Sequence, residues 1–374
     1  MKISKILILT CFFIAACSSE DDSSTTVGDD TGGTETNSFD RGAMLTNWAD
    51  NIILPSYENL NTNTQKLEAL TKAFVENPGN TELTALRAQF QVSYNFFQTV
   101  SMFDIGKAEE LNYRSYLNTY PVNTDNVKSK IASGNFNLEL PSSYAEQGFP
   151  ALDYLLFGLG ATSEDILTKY AIDENAENYR SYLTAVSQRV NALTAEVTTS
   201  WQGDYRDTFV KNTSSSSTGS IDRLSNKYIM YFEKFLRSGK IGFPSGALTG
   251  TPSPANVEAY YSKDLSKQLY LQALESSKDF FNGKYFGSNK TGESYAQYLE
   301  ALNKKELSDA ILTQFDAIKS QAGNLDASLQ LQVETNNNAM LKAHDELQKE
   351  VVLLKLDLLQ ALSISVDYVD SDGD

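Results

Sequence analysis

The stretch Tyr179–Trp201, YRSYLTAVSQRVNALTAEVTTSW, decides the fold class. Tyr179, Leu183, Val186, Val190, Leu193, Val197 and Trp201 recur at steps of three and four, so an α-helix gathers them on one face. A second run, Met340, His344, Leu347, Val351, Leu354, Leu358 and Leu362, repeats the pattern near the C-terminus. Leu83–Phe103, Ile221–Leu236, Val257–Phe280 and Leu307–Ile318 carry it in between. No proline lies between Pro150 and Pro244, which permits long uninterrupted helices there. Alternating β-branched runs bounded by turns are nearly absent. The expected fold is all-α, in two tandem helical-bundle domains.

Breaks between helices are marked by turn residues. Asn77-Pro78-Gly79-Asn80 forms a turn, with Thr81 as the expected N-cap of the next helix. Residues 118–146 read as mixed and loop-like, Thr213–Ser220 as a Ser/Thr/Gly loop, and Gly239–Pro254 as a Gly/Pro-rich one. The domains are expected at residues 39–165 and 166–374.

The N-terminus reads as an export signal over residues 1–16. Lys2 and Lys5 precede the apolar run Ile6–Ala16, which is too short to span a bilayer. Ile14-Ala15-Ala16-Cys17 resembles the bacterial lipobox, and this implies lipid attachment at Cys17 and anchoring to the outer membrane, on its periplasmic face or at the cell surface. Residues 17–38 form an acidic tether, whose composition cannot offset chain entropy by burial. Cys11 leaves with the signal and Cys17 is modified, so the folded part has no thiol for a disulfide, a thiolate metal site or a nucleophile.

The formal charge of -17 argues against nucleic acid or an anionic membrane surface as partner. The chain has no GxSxG elbow and no Walker-type phosphate loop. Its single histidine, His344, sits in the second apolar stripe, where packing is its expected role, and Asp345 and Glu346 form no HExxH arrangement with it. Glu233 and Arg237 have the spacing of a local ion pair. The tail Asp370-Ser371-Asp372-Gly373-Asp374 resembles the start of a calcium loop, but the sequence ends before the later acid such a loop needs.

Gly148–Gly158, GFPALDYLLFG, resembles the imelysin-family signature GxHxxE followed by an apolar run such as FLLWG. Pro150 stands at the histidine position and Asp153 at the glutamate position. Leu45–Leu60, Leu86–Ala108, Arg180–Asp207 and Tyr368–Asp374 resemble further family segments in the same order. The resemblance implies a two-domain all-α protein of the bacterial envelope. Members of the family have been linked to iron uptake, and one founding member was described as an insulin-cleaving metallopeptidase.

A His and Glu three apart on a helix could share a metal, but Pro150 offers no ligand atom. Two roles stay open for Asp153. With Pro150 at the first helical position, Asp153 would lie in the first turn and favour the helix dipole. Alternatively it faces a ligand in the cleft between domains, as a weak metal candidate. Arg87 lies on an aromatic-rich helix and shares roughly one face with Gln98 and Ser101; it could bind a carboxylate ligand or pair with Asp153. The candidate ligand-binding residues are therefore Arg87, Gln98, Gly148 and Asp153, with no catalytic residue and no catalytic metal expected. The expected function is ligand binding in iron or haem acquisition. The alternatives are a metallopeptidase and a partner-binding module working with envelope transport proteins.

Overall fold

In the computed structural model of this chain, the described residues are 39–368. The signal segment, Cys17, the tether and the acidic tail residues 369–374 lie outside them. Among the described residues helices make up the architecture, and the β-structure is a single bridge between Lys284 and Thr291. No described helix is long and apolar enough to cross a membrane.

The helix Ala176–Gln202 carries the stripe anticipated from its spacing. Leu183, Val186, Val190, Leu193, Val197 and Trp201 are buried, and Tyr179 is partly buried against the core. Leu54–Glu76 packs along this helix and also against Asn80–Phe97. Small polar residues allow the close approach. The Thr71 hydroxyl donates to Ser187 at 3.1 Å, and Thr64 donates to Asn191 at 3.0 Å. Thr194 and Thr198 return their hydroxyl protons to carbonyls four residues back, so their burial leaves no orphan donor.

Leu329–Val352 packs on Lys305–Gly323 and on the segment Tyr231–Gly242. Met340, Leu347, Leu354 and Leu358 are fully buried, each contributing roughly 1.5–3 kcal/mol relative to an exposed position. Leu265–Phe281 packs against Asn80–Phe97. The expected division between residues 165 and 166 falls inside the helix Ser163–Ala171, which packs on Ala176–Gln202, Asn80–Phe97 and Tyr154–Gly158.

Among the described residues four helical runs widen into π-helix, at Trp48–Ile53, Tyr154–Gly158, Tyr231–Gly242 and Leu353–Leu358. A π-turn bonds i to i+5, so each one rotates the residues after it onto a different face. Several expectations about element boundaries are corrected. Gly239 is not in a loop, because the helix from Ser220 runs on as π-helix through Gly242. Residues 118–146 contain the helix Thr124–Ser133 and the 3₁₀ segment Pro141–Glu146. Val257 does not open a helix; the next one starts at Leu265 and leaves residues 257–264 as a connecting loop. The helix after the Asn77 turn begins at Asn80 with Gly79 as its N-cap, so Thr81 is already inside it.

Candidate functional site

Gly148 opens the short helix Gly148–Asp153 with φ +72°, a conformation only glycine adopts cheaply. A Cβ at this position would lie 2.3 Å from the Leu117 carbonyl oxygen and 2.5 Å from that of Tyr116. Its role is therefore conformational: it lets the motif helix lie directly against the backbone of the Tyr113–Asn118 helix. Pro150 is the third helical residue rather than the first, still within the turn whose N–H groups have no intrahelical partner.

Asp153 is the sixth residue of a helical run that starts at Gly148 and continues as π-helix through Gly158, so it lies beyond the first turn and the dipole role expected there does not hold. Its side chain reaches the loop at 257–264 instead. The Tyr261 N–H donates to one carboxylate oxygen at 2.8 Å and the Ser262 N–H to the other at 2.9 Å. Only 2% of Asp153 is exposed. Burial pushes its pKa up to about 6, while the hydrogen bonds from Ser262 and from the Tyr261 backbone pull the other way. The loop it grips has Ala259 and Lys263 in the left-handed region, at φ +56° and +51°. Two such non-glycine residues in one short loop persist because contacts on several sides hold it.

The second hold on this loop is Glu258. It forms a buried ion pair with Lys240, each side chain 3% exposed. Lys240 also donates to Gln98 Oε1 at 2.9 Å, and Asn118 donates to Glu258 at 2.7 Å. Gln98 Nε2 lies 3.3 Å from the same carboxylate, and the Tyr94 hydroxyl closes the chain by donating to Asn118 at 2.6 Å. Burial lowers the Lys240 pKa and the neighbouring Glu258 opposes that shift. Removing two charges from water costs several kcal/mol, and these amide and hydroxyl partners are what make the pair tolerable. Gln98, expected as a ligand-binding residue on the face of Arg87, has protein groups of this network as its partners. Sequence reasoning missed Lys240 and Glu258, because one was assigned to a Gly/Pro-rich loop and the other to a helix. The signal that could have found Lys240 is its place in Tyr231–Gly242, where the charged residues Glu233, Lys234, Arg237 and Lys240 alternate with aromatic, aliphatic and glycine positions.

Arg87 does not pair with Asp153. Its Nε donates to the Leu156 carbonyl at 2.8 Å, Nη1 donates to the Ser163 hydroxyl at 2.8 Å, and the guanidinium lies 4.8 Å from the centre of the Phe157 ring. It ties the π-turn after the motif to the following helix, which is a structural task. The expected ligand set therefore separates into Arg87 on one side and Asp153 with the Gln98 network on the other.

Two further expectations take a definite form. His344 is mostly buried, and its ring lies 3.3 Å from where a Cβ on Gly242 would stand, so the glycine makes room for it. Glu233 and Arg237 do approach each other, at 3.8 Å, but both are buried and shared rather than a local exposed pair. Glu233 accepts from Lys355 at 3.0 Å and from the Tyr368 hydroxyl at 2.9 Å, and Arg237 donates to Gln348.

Two cavities flank the Tyr120–Pro121 dipeptide. One, of about 240 Å³, is lined by Thr124, Pro150, Asp153, Tyr260 and Tyr261 among others. The other, of about 360 Å³, is lined by Asn118, Lys234, Phe235, Gly239 and Phe243 among others. The first lies on the motif. A resident metal does not fit the residues there: Pro150 has no donor atom, and Asp153 is the one carboxylate in a lining without imidazole or thiolate, too few ligands to hold an ion. Among the described residues no group of three or more His, Cys, Asp or Glu side chains could hold a metal ion.

A family model described as imelysin (Peptidase_M75) matches residues 53–356. Among solved structures, an imelysin-like protein from Psychrobacter arcticum 273-4 superposes with a TM-score of 0.69 at 18% identity, covering 88% of this chain and 97% of that one. A protein described as an iron-regulated protein A precursor, from Parabacteroides distasonis ATCC 8503, also gives 0.69 at 18% identity, over 84% of this chain and 94% of its own. At these identities the structures establish the shared all-α fold. No curated protein sequence gives a significant match.

Proposed function

Since the chain belongs to the imelysin family, we propose that it is a lipid-anchored protein of the bacterial cell envelope that binds a ligand beside Asp153 without cleaving it, in the service of iron or haem uptake. The observation that carries the binding reading is the cavity of about 240 Å³ on the motif, walled by Pro150, Asp153 and three tyrosines. Small-molecule sites are concave, carry a few placed polar groups and run from about 300 Å³ upward, so this smaller cavity would seat one edge of haem or of a ferric chelate rather than the whole molecule. Here the acid is held in position by two backbone donors on a loop that Glu258 fixes from the other side. Iron enters through the description of the Parabacteroides distasonis relative as iron-regulated. The lipid on Cys17 and the outer-membrane location come from the lipobox-like Ile14–Cys17.

The test is titration of the purified protein with a soluble ferric chelate, whose chelator already coordinates the iron, and with haem, followed by absorbance and calorimetry, for the native chain and for Asp153→Ala. Binding that weakens in the variant supports the reading. Absence of binding in the native chain, or equal binding in both, overturns it. The metallopeptidase reading is prompted by the family model's description. It needs a stoichiometric metal and chelator-sensitive cleavage of an unfolded substrate, and elemental analysis with a protease assay decides it. Co-purification from membranes with transport proteins, in the absence of any small ligand, would favour a partner-binding module instead.

A further inference from the structure

We propose that the second cavity, bounded by Tyr120–Pro121 and the Tyr231–Gly242 segment, is a binding site for a small aromatic carboxylate. The proposal rests on reading this region as a ligand cleft, and it adds a site and a ligand class distinct from the Asp153 cavity.

At about 360 Å³ the cavity lies within the range of small-molecule sites. Its walls are aromatic: Phe235, Phe243 and Tyr120 line it together with Pro121. Phe235 is 38% exposed and Phe243 42%, two large apolar side chains left partly in water at one place. The exposure of Phe235 is not looseness. The Arg114 guanidinium sits 3.8 Å from its ring centre, and the Tyr231 ring stacks nearly parallel to it at 6.3 Å. Arg114 is itself fixed, donating to the Ser101 carbonyl and to Asp104, each at 3.0 Å. A flat ring can therefore bind against a preset aromatic surface, with little side-chain ordering left to do.

The charge of the ligand follows from Lys234. It is the one charged side chain lining this cavity, half-buried, and it makes no ion pair among the described residues. Its ammonium faces the Tyr368 ring at 5.6 Å. In a chain of net charge -17, an ammonium with no acidic partner among the described residues, beside aromatic walls, favours an anion. Gly239 contributes by absence: a Cβ there would stand 3.1 Å from the Tyr120 hydroxyl, crowding the wall that the two cavities share. Asn118 does not compete for the ligand, since its amide is committed to Glu258 and Tyr94.

The probes are 2-naphthoate and its uncharged analogue 2-naphthylmethanol, titrated calorimetrically into the native protein, Lys234→Gln, Phe243→Ala and Lys66→Gln, the last removing an exposed lysine that lines neither cavity. All variants are checked by circular dichroism for retained helix. The native protein should bind one naphthoate per chain. Lys234→Gln should weaken naphthoate about fivefold, the effect of losing one half-exposed ion pair, and leave naphthylmethanol unchanged. Phe243→Ala should weaken both probes, and Lys66→Gln neither. No naphthoate binding by the native protein, an unchanged ratio of the two probes in Lys234→Gln, or equal weakening by Lys66→Gln would each overturn the assignment. Failure of iron and haem to bind with naphthoate binding intact would defeat only the proposed function; the converse would defeat only this site.

Discussion

Removing one member of the Lys240–Glu258 pair should cost far more than removing both. Each side chain is 3% exposed, and the pair is surrounded by Gln98, Asn118 and Tyr94 rather than by water. Lys240→Met leaves a carboxylate buried with only amide donors, and Glu258→Gln leaves an ammonium with amide oxygens. A buried charge stripped of its partner costs about 3–5 kcal/mol. Lys240→Met combined with Glu258→Gln leaves no charge to desolvate, and the new glutamine can still accept from Asn118. The double variant should therefore lose only about 1–3 kcal/mol, well below the roughly 6–10 kcal/mol of the summed single losses, a coupling that only contacting groups show. Urea unfolding at pH 7.5, followed by far-UV circular dichroism, gives the four free energies of the cycle. Limited proteolysis supplies a second readout, because Glu258 sits on the loop at 257–264 and its loss should speed cleavage there. Single variants that each cost less than about 1 kcal/mol, or additive losses in the double variant, would refute the claim that this pair is a desolvated latch.

Three other predictions bear on particular residues. Asp153 has a folded-state pKa of about 6 against an ordinary value of 3.8, so the native chain holds this proton more tightly than the unfolded one. Its contribution is fully present below about pH 3.8 and is lost as pH rises through about 6, an amount of about 3 kcal/mol at about 1.4 kcal/mol per pKa unit. Asp153→Asn removes that slope, so the stability gap between native and variant should be widest near pH 4 and narrow toward pH 7.5; a gap that stays constant or widens refutes it. Gly148→Ala combines a φ of +72° with a backbone contact of 2.3 Å and should destabilise by about 3 kcal/mol or more, read as a lowered urea midpoint, with an unchanged midpoint contradicting the geometry. Arg87→Ala loses its bonds to Leu156 and Ser163 and should cost about 1–2 kcal/mol while leaving ligand affinity unchanged; a loss of affinity with stability intact would restore Arg87 to the binding site.

The parts of the fold that were legible are those where apolar residues alone specify one helical face. Leu183 through Trp201 and Met340 through Leu362 mark their buried stripes without help from any other segment. The site was less legible for three physical reasons. Its polar residues meet across long separations, as Gln98 with Lys240 and Asp153 with Tyr261 do, and no local period records such pairs. The π-helical run Tyr231–Gly242 contains Gly239 and Gly242, which in an ordinary α-helix would argue for a break, and its wider turns bury Glu233, Arg237 and Lys240 together. The loop at 257–264 keeps an aromatic and apolar composition that imitates a helix start. Asp153 reads in the sequence as the acid of the motif, but its partners belong to that loop, so the bonds it makes emerged only in three dimensions.

The central claim is that the motif region binds a ligand next to Asp153 without a resident metal. The most direct test is a paired measurement on one preparation purified without chelators: metal content by elemental analysis, then titration with haem and with a soluble ferric chelate. The account predicts substoichiometric metal as purified and saturable binding of one of the two ligands that Asp153→Ala weakens at least about fivefold, the loss of a single polar contact. One tightly held metal per chain, whose removal by chelator abolishes cleavage of an unfolded substrate, would contradict it.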